Sequence, residues 1–190
     1  TSYFQPVLDL LEYKPSALEP VPEVVLVEGK SDFYIMRYAT EVLGIDDHGI
    51  HAVPGTGAGS LETAIRLYVG WGKNFVILLD GDAEGRKQAK RYLELFGPVL
   101  KDRCVFLPEV CGDATAVEAE RLLDDVDRET IISAVFPPGA APGAAKKAVS
   151  RAVLELYARR EEVALSDAAD QRFKTLFAAL AGRLKDVAAS

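Results

Sequence analysis

Two pairs of acidic residues each close a hydrophobic segment of the chain. Glu28 and Asp32 lie at the end of the first segment, and Asp80 and Asp82 follow the second. If both segments are neighbouring strands of a parallel sheet, the four carboxylates converge, because ligands of open α/β sheets gather at the carboxyl ends of the strands. Their repulsion is severe unless a divalent cation lies between them, and oxygen ligands suit Mg²⁺ or Mn²⁺. The spacing therefore predicts metal-assisted phosphoryl-transfer chemistry.

Two of these acids have an ordinary structural explanation, and the other two are harder to explain without a function. Asp32 falls in the first turn of a predicted helix, where the helix dipole alone favours an acid. Asp82 can serve as the N-cap of the next helix. Glu28 continues an apolar strand and needs a partner if it is buried. Asp80 sits beside a strand, where aspartate is disfavoured, so a functional role is favoured for it.

The elements that must position these acids alternate between strand and helix. We predict strands over 23–28, 50–53, 74–79 and 104–107, and helices over 31–43, 60–70 and 83–96. Strands separated by helices imply a parallel sheet with right-handed crossovers. In the remaining sequence we predict helices over 115–125, 144–160 and 167–187, and one strand over 130–136. The predicted fold class is α/β, a parallel sheet flanked by helices with a C-terminal helical appendage.

The chain divides into three predicted parts. Residues 1–22 contain three prolines that break any helix, so we interpret them as a connector. Residues 23–125 form the predicted catalytic domain, and residues 126–190 the helical appendage. Because the chain starts with Thr rather than Met, we expect it to be a fragment of a longer protein.

The composition excludes several classes of protein. With 190 residues, 49% of them hydrophobic and 27% charged, the chain is typical of a globular protein with a real core. Neither an 18-residue apolar run nor a signal-peptide pattern occurs, which predicts no membrane association and a cytoplasmic location. Cys104 and Cys111 lack zinc-site spacing and are expected to be reduced thiols. The net charge of −7 argues against non-specific coating of nucleic acid, although acids clustered for metal binding contribute to it.

The glycine-rich segment 55–59 matches neither common nucleotide motif. It lacks the Gly-Lys-Ser/Thr of the P-loop, and Ser60 stands where G-x-G-x-x-G has its third glycine. The segment could still bind a phosphate through its backbone N–H groups. Ser60 is the predicted N-cap of the helix that follows.

Further charged residues could serve the same site. Glu118 follows the last predicted strand and could complete the acidic group, although a surface position on a helix is the alternative. Arg86 and Lys87 come directly after the aspartates and could hold a DNA phosphate or belong to a solvated helix face. Lys146, Lys147 and Arg151 form a second basic cluster.

The order strand-E-G-K-x-D at 28–32, followed by strand-D-G-D-A-x-G at 80–85, resembles the Toprim domain. This fold is shared by topoisomerases, bacterial primases, recombination proteins and the OLD (overcoming lysogenization defect) nucleases. The resemblance covers roughly residues 22–125, and its details are most similar to the OLD nucleases. No tyrosine matches a topoisomerase nucleophile, and no primase module is present.

The resemblance implies a Mg²⁺- or Mn²⁺-dependent endonuclease that nicks and cuts DNA with two ions per site and without an organic cofactor. The implied metal ligands are Glu28, Asp32, Asp80, Asp82 and Glu118. The helical region is expected to supply a catalytic lysine, for which the candidates are Lys147, which we favour, Lys146 and Lys174. The candidate contacts to DNA are Lys30, Arg86 and Lys87.

The same resemblance predicts partners other than DNA. Family members carry an N-terminal ABC-type ATPase, so we expect this chain to be the C-terminal part of such a protein. An oligomer would then form through the missing part.

Two other functions remain open at this stage. In a phosphatase of the haloacid dehalogenase type, the first aspartate of Asp-x-Asp is the nucleophile, and the 80–82 segment permits this. That motif normally occupies the first strand, however, and Glu28 would then have no role. The third possibility is a non-catalytic Toprim module that binds a partner.

Overall fold

The computed structural model describes most of the chain, namely residues 23–55, 60–140, 143 and 145–189. The predicted connector 1–22 lies outside these residues, as does the predicted phosphate-approach loop apart from Gly55. For Ser60 the backbone alone is described, so its capping role stays a prediction. Within the described ranges, no helix has both the length and the apolar character needed to cross a membrane.

Four parallel strands form the sheet, which confirms the predicted α/β fold. They are β1 (Val24–Val27), β2 (His51–Pro54), β3 (Phe75–Leu79) and β4 (Cys104–Phe106), in the spatial order β2-β1-β3-β4. The chain runs from β1 outward to β2 and then returns across β1 to β3. The strand order therefore reverses between β1 and β3.

Seven α-helices connect or follow the strands in the described part of the chain. They are α1 (Lys30–Glu41), α2 (Ser60–Gly70), α3 (Ala83–Phe96), α4 (Leu107–Val110), α5 (Asp125–Val135), α6 (Ala145–Arg159) and α7 (Asp167–Ala188). Two short 3₁₀ turns cover Gly97–Leu100 and Ala119–Leu122. The predicted helix over 83–96 has the bounds of α3, and the strands agree with prediction to within a residue or so at each end.

Both faces of the sheet are covered, which is why β1 and β3 are buried throughout. Alternate strand residues point to opposite faces. Val25 and Val27 belong to one hydrophobic cluster with side chains of α1, α6 and α7. Val24 and Leu26 belong to a second cluster with side chains of α2 and α3. A strand buried on both faces is held rigidly, so the residues that follow it are well positioned.

The helices after residue 125 take part in the first of these clusters. Leu156 of α6 and Phe173 of α7 are buried against the same face as α1. The division into a catalytic domain, residues 23–125, and an appendage, residues 126–190, stays a prediction.

The predicted helix over 115–125 is wrong. Glu118 has extended backbone angles, and helical geometry is limited to the 3₁₀ turn that follows it. The carbonyl of Leu122 accepts a hydrogen bond from Arg172 Nε, and that of Leu123 one from Arg128 Nη1, each at 2.8 Å. Because arginine side chains satisfy these carbonyls, the segment does not need helical hydrogen bonds.

The predicted strand over 130–136 is also wrong, because α5 occupies this segment. Asp124 and Asp127 form a reciprocal capping box in which each side chain accepts from the other's backbone N–H. In this helix Ile131 is fully enclosed, and Ile132 and Val135 pack against the core. Packing and the cap outweigh the β-propensity of the segment.

Candidate metal centre

Glu28 and Asp80 leave the sheet side by side. They directly follow β1 and β3, which are neighbours with Val27 paired to Leu78. This confirms the condition on which the convergence of the acids depended. The strand order reverses at this point, and α/β proteins bind ligands where it reverses. The fold therefore places two carboxylates at its natural ligand site.

A close group of three acids lies at this edge. In the described ranges, the one such group whose ligand atoms all lie within 4.8 Å of one another is Asp80, Asp82 and Glu118. Asp82 also caps α3, because its Oδ1 accepts from Gly85 N at 2.8 Å. Asp82 can therefore be both an N-cap and a metal ligand, because the cap uses only one of its two carboxylate oxygens.

The glycine between the two aspartates brings Glu118 to them. Gly81 N–H donates to the carbonyl of Val117 at 2.8 Å. A Cβ atom at Gly81 would lie 2.3 Å from Cγ of Pro108, so no larger residue permits this approach. Arg86 Nη2 donates to the Gly81 carbonyl at 3.3 Å from the other side.

A second glycine fixes Asp80 itself. A Cβ atom at Gly85 would lie 2.2 Å from the backbone oxygen of Asp80, and that oxygen cannot swing away as a side chain could. We expect Gly85→Ala to destabilise the protein by about 1–3 kcal/mol, the usual cost of overpacking. Gly182→Ala is the matched control in α7, because a Cβ atom at Gly182 would meet nothing within 4 Å.

Gly182→Ala should raise stability by about 0.5–1 kcal/mol, since alanine restricts the unfolded chain and favours a helix. Urea unfolding of the two variants measures the difference. Equal effects of the two substitutions would contradict the close approach of α3 to Asp80.

Glu28 and Asp32 lie near this group without belonging to it. Asp32 Oδ2 accepts from the backbone N–H of Gly29 at 2.9 Å, at the start of α1. Burial raises the pKa of Asp32 to about 6, despite this bond, and the charges of Glu120 and Glu28 add to the rise. Of the five predicted metal ligands, the structure therefore gathers Asp80, Asp82 and Glu118 into one close group and leaves Glu28 and Asp32 beside it.

Lys146 and Glu120 are two further charged residues at this edge. Lys146 Nζ lies 3.1 Å from Glu118 Oε1 and 3.8 Å from Glu120 Oε2. Glu120 is only 3% exposed. Its Oε1 accepts from Ser31 Oγ at 2.7 Å and Ser150 Oγ at 2.9 Å, whereas its Oε2 has no hydrogen-bond partner among the described residues.

Glu120 was missed by the sequence analysis, although a signal existed. Glu118 and Glu120 are two residues apart, as Asp80 and Asp82 are, and this repeated spacing of two acids was the available signal. The incorrect helix over 115–125 hid this, because a helix would turn the two glutamates to different faces.

The other two candidate lysines lie apart from these acids. Lys147 is exposed and has no hydrogen bond or ion pair with the residues that the structure describes. Lys174, also exposed, pairs with Asp170 on its own helix α7. Of the three lysines, the structure brings Lys146 alone into contact with described acids of the site.

The three predicted DNA contacts are all exposed. Lys30 is the first residue of α1 and follows the Glu28-Gly29 step. Arg86 binds the Gly81 carbonyl and lies over the Phe106 ring at 5.4 Å, so it also supports the turn between the aspartates. Lys87 pairs with Glu84 at 3.4 Å. Contact with DNA stays a prediction for these residues.

Comparison with protein families gives a match for about the first third of the described fold. Residues 22–82 match the family described as "Overcoming lysogenization defect protein-like, TOPRIM domain". This segment is that of an OLD-like Toprim domain. No match was found among curated proteins or among solved structures.

The Toprim match indicates a metal-binding function of the nuclease or primase type, and the acidic cluster that such a function needs is present. The match spans Glu28, Asp32 and the two aspartates but ends before Glu118, Glu120 and Lys146. It is the structure, and not the family match, that places the last three residues beside the matched segment.

The donor set of this Toprim site fits a divalent cation. Burial raises the pKa of Asp80 to about 7, and Asp32 and Glu118 add to the rise while Lys146 opposes it. Burial likewise raises the pKa of Glu28 to about 7, with further contributions from Asp80 and Asp82. Several carboxylates are therefore held together against their repulsion, and a hard cation with oxygen ligands relieves that repulsion.

These raised pKa values predict how stability depends on pH. An acid whose pKa is raised on folding binds more protons in the folded state than in the unfolded state between its two pKa values. For Glu28 and Asp80 this window runs from about 4 to about 7. The free energy of unfolding without metal should therefore fall as pH rises through that window. Added Mg²⁺ should weaken the fall, because it stabilises the ionised carboxylates.

Urea unfolding at pH 4.5, 6 and 7.5, with and without Mg²⁺, measures this effect. Asp80→Asn is the matched comparison and should show a shallower dependence on pH. A stability that rises steadily across the window and ignores Mg²⁺ would contradict the raised pKa values.

Proposed function

We propose that this protein is a divalent-metal-dependent DNA endonuclease that nicks and cuts phosphodiesters. The close group of Asp80, Asp82 and Glu118 carries the proposal, because it lies at the ligand-binding edge of a Toprim sheet. The neighbouring Lys146 adds a cation that is not a metal ligand and can contact a phosphate.

The proposal assigns roles to the chain's own residues. Asp80, Asp82 and Glu118 would hold a first Mg²⁺ or Mn²⁺ ion, and Asp32 and Glu28 would favour a second. Two bound cations supply Lewis-acid stabilisation of the developing charge and acidify a water molecule.

The remaining charged groups act on the DNA. The ammonium of Lys146 would donate to a non-bridging oxygen of the scissile phosphate, whose charge grows in the transition state. Lys30, Arg86 and Lys87 would hold flanking phosphates by charge attraction, which carries no sequence preference.

Two wider expectations belong to the same proposal. The match to an OLD-like family supports an N-terminal ABC-type ATPase as a partner within a longer chain, with oligomers formed through it. Cys104 and Cys111 are free thiols, which supports a reducing, cytoplasmic location. ATP-dependent stimulation of cleavage in the longer chain would test the first of these.

The direct test is incubation of the protein with supercoiled plasmid and Mg²⁺, Mn²⁺ or Ca²⁺. We expect nicked and then linear DNA with Mg²⁺ or Mn²⁺, and none with EDTA. A small phosphomonoester hydrolysed faster than plasmid DNA would instead favour the phosphatase of the haloacid dehalogenase type. Absence of divalent-metal binding in calorimetry would point to a non-catalytic Toprim module.

A further inference from the structure

Lys146 occupies an unusual place for a lysine, because it lies in the first turn of α6. The N-terminus of a helix carries partial positive charge, so a cation there is unfavourable without compensation. No acid lies in the first turn of α6. The compensation comes from another part of the chain, through Glu118 and Glu120. The start of α6 therefore depends on these two glutamates for its charge balance.

Glu120 is held in place independently of Lys146. Hydrogen bonds from Ser31 of α1 and Ser150 of α6 fix its Oε1, and the two hydroxyls lie 2.7 Å apart. Its buried Oε2 lies 3.8 Å from Lys146 Nζ and has no hydrogen-bond partner in the part of the chain that the structure describes. A fixed, buried carboxylate oxygen needs a cation nearby, and Lys146 is the cation that the described residues supply.

Glu118 is shared between two groups. One of its oxygens belongs to the close group with Asp80 and Asp82, and its Oε1 lies 3.1 Å from Lys146 Nζ. An ammonium at that distance from a ligand carboxylate both repels an incoming divalent cation and competes for the same negative charge.

We propose that Lys146 is the internal counter-ion of the metal-free site, and that a divalent cation competes with it for Glu118. Metal binding releases the ammonium from Glu118, and the released ammonium becomes available to a phosphate. This inference rests on the proposed metal site and adds regulation to it. The lysine then reaches the substrate only after the metal has bound, so the metal-free protein does not hold DNA in the reactive position.

The first test is metal affinity, measured by calorimetry with Mn²⁺ alone. Lys146→Met keeps the aliphatic stem and removes the competing charge, so it should bind Mn²⁺ roughly tenfold more tightly than the wild type. Lys147→Met is the matched control, because it removes one charge from the same helical turn without touching the acids. Its affinity should differ from that of the wild type by much less.

The melting temperatures of the same variants without metal give a second measurement. Lys146→Met should melt at a lower temperature than Lys147→Met, because Glu118 and Glu120 have lost their counter-ion. Added Mn²⁺ should remove most of this difference.

The second test needs no substitution and so does not depend on how a variant folds. Reductive methylation with site-resolved mass spectrometry compares the reactivity of Lys146 and Lys147 in the wild-type protein. The rate at Lys146 should rise when Mn²⁺ binds, whereas the rate at Lys147 should stay constant.

The outcomes separate this inference from the proposed function. Wild-type binding of Mn²⁺ with no tighter binding by Lys146→Met and no change in labelling would overturn the inference and leave the metal site standing. Failure of every form to bind Mn²⁺ would overturn both.

Discussion

Asp80→Asn is expected to abolish Mn²⁺-dependent nicking of plasmid DNA, a loss of roughly 10³-fold or more. Asp80 joins the close acidic group and also lies beside Glu28 at the edge where β1 and β3 end. Asparagine keeps the size of the side chain but removes the charge that attracts the cation. The rise in melting temperature on adding Mn²⁺ should vanish with the activity, because this rise comes from metal bound to the native site.

The fold of this variant should remain intact. Burial disfavours the ionised form of Asp80, as its raised pKa shows, so a neutral residue there should not lower stability at pH 8. Asp46→Asn is the matched control, in the exposed loop that leads into β2. Asparagine at position 46 can still accept the hydrogen bond from His48 N. Full nicking by Asp80→Asn would remove the metal-dependent mechanism.

Lys146→Ala is expected to reduce cleavage by about 10²–10³-fold, the scale of losing one charge contact in the transition state. The physical reason is its position, with Nζ 3.1 Å from a glutamate of the acidic group. Lys147→Ala and Lys174→Ala should cost far less and act mainly on DNA affinity and its salt dependence. Single-turnover cleavage at saturating Mn²⁺ measures all three.

These variants also distinguish Lys146 from the lysine that the sequence favoured. A large loss in Lys147→Ala together with full activity in Lys146→Ala would restore Lys147 as the proposed catalytic residue. The same loss in Lys174→Ala would move the role to α7. Combined with the calorimetry, Lys146 variants should bind metal more tightly and yet cleave more slowly, an opposition that simple misfolding does not produce.

The strands and the first acids could be predicted because their signals are local. Runs such as 75–79 are apolar at every position, as a strand covered on both faces must be. An acid directly after such a run marks the end of the strand. Glu28 and Asp80 could therefore be predicted without information about distant residues. Their adjacency depended only on the strand order, which the structure confirmed.

The contribution of residues 117–120 could not be predicted in the same way. Its backbone, extended at Glu118 and then a 3₁₀ turn, depends on the Gly81 bond to Val117 and on arginine side chains that bind the carbonyls of Leu122 and Leu123 just after it. These partners are distant in sequence, whereas the local composition of the segment favours a helix. The same composition concealed Glu120, whose place at the site follows only from the fold.

The choice between Lys146 and Lys147 was also beyond the sequence. Neighbouring residues on a helix point about 100° apart, so one position decides whether an ammonium meets the acids or the solvent. The buried residues Ala148 and Val149 come after both lysines. The apolar pattern of the helix therefore does not show which of the two lysines faces the acids. The contact of α6 with α1, through Ser150 and Ser31, sets the rotation.

The hydrogen bond from Gly81 to Val117 has a consequence for folding kinetics. It joins two segments distant along the chain, and Asp80, Asp82 and Glu118 meet only once it has formed. Closing so long a loop costs entropy that is recovered only when the later contacts form. If this docking follows the rate-limiting step, Mg²⁺ should slow unfolding and leave the refolding rate nearly unchanged. The cation would then stabilise the folded protein against unfolding without speeding its folding.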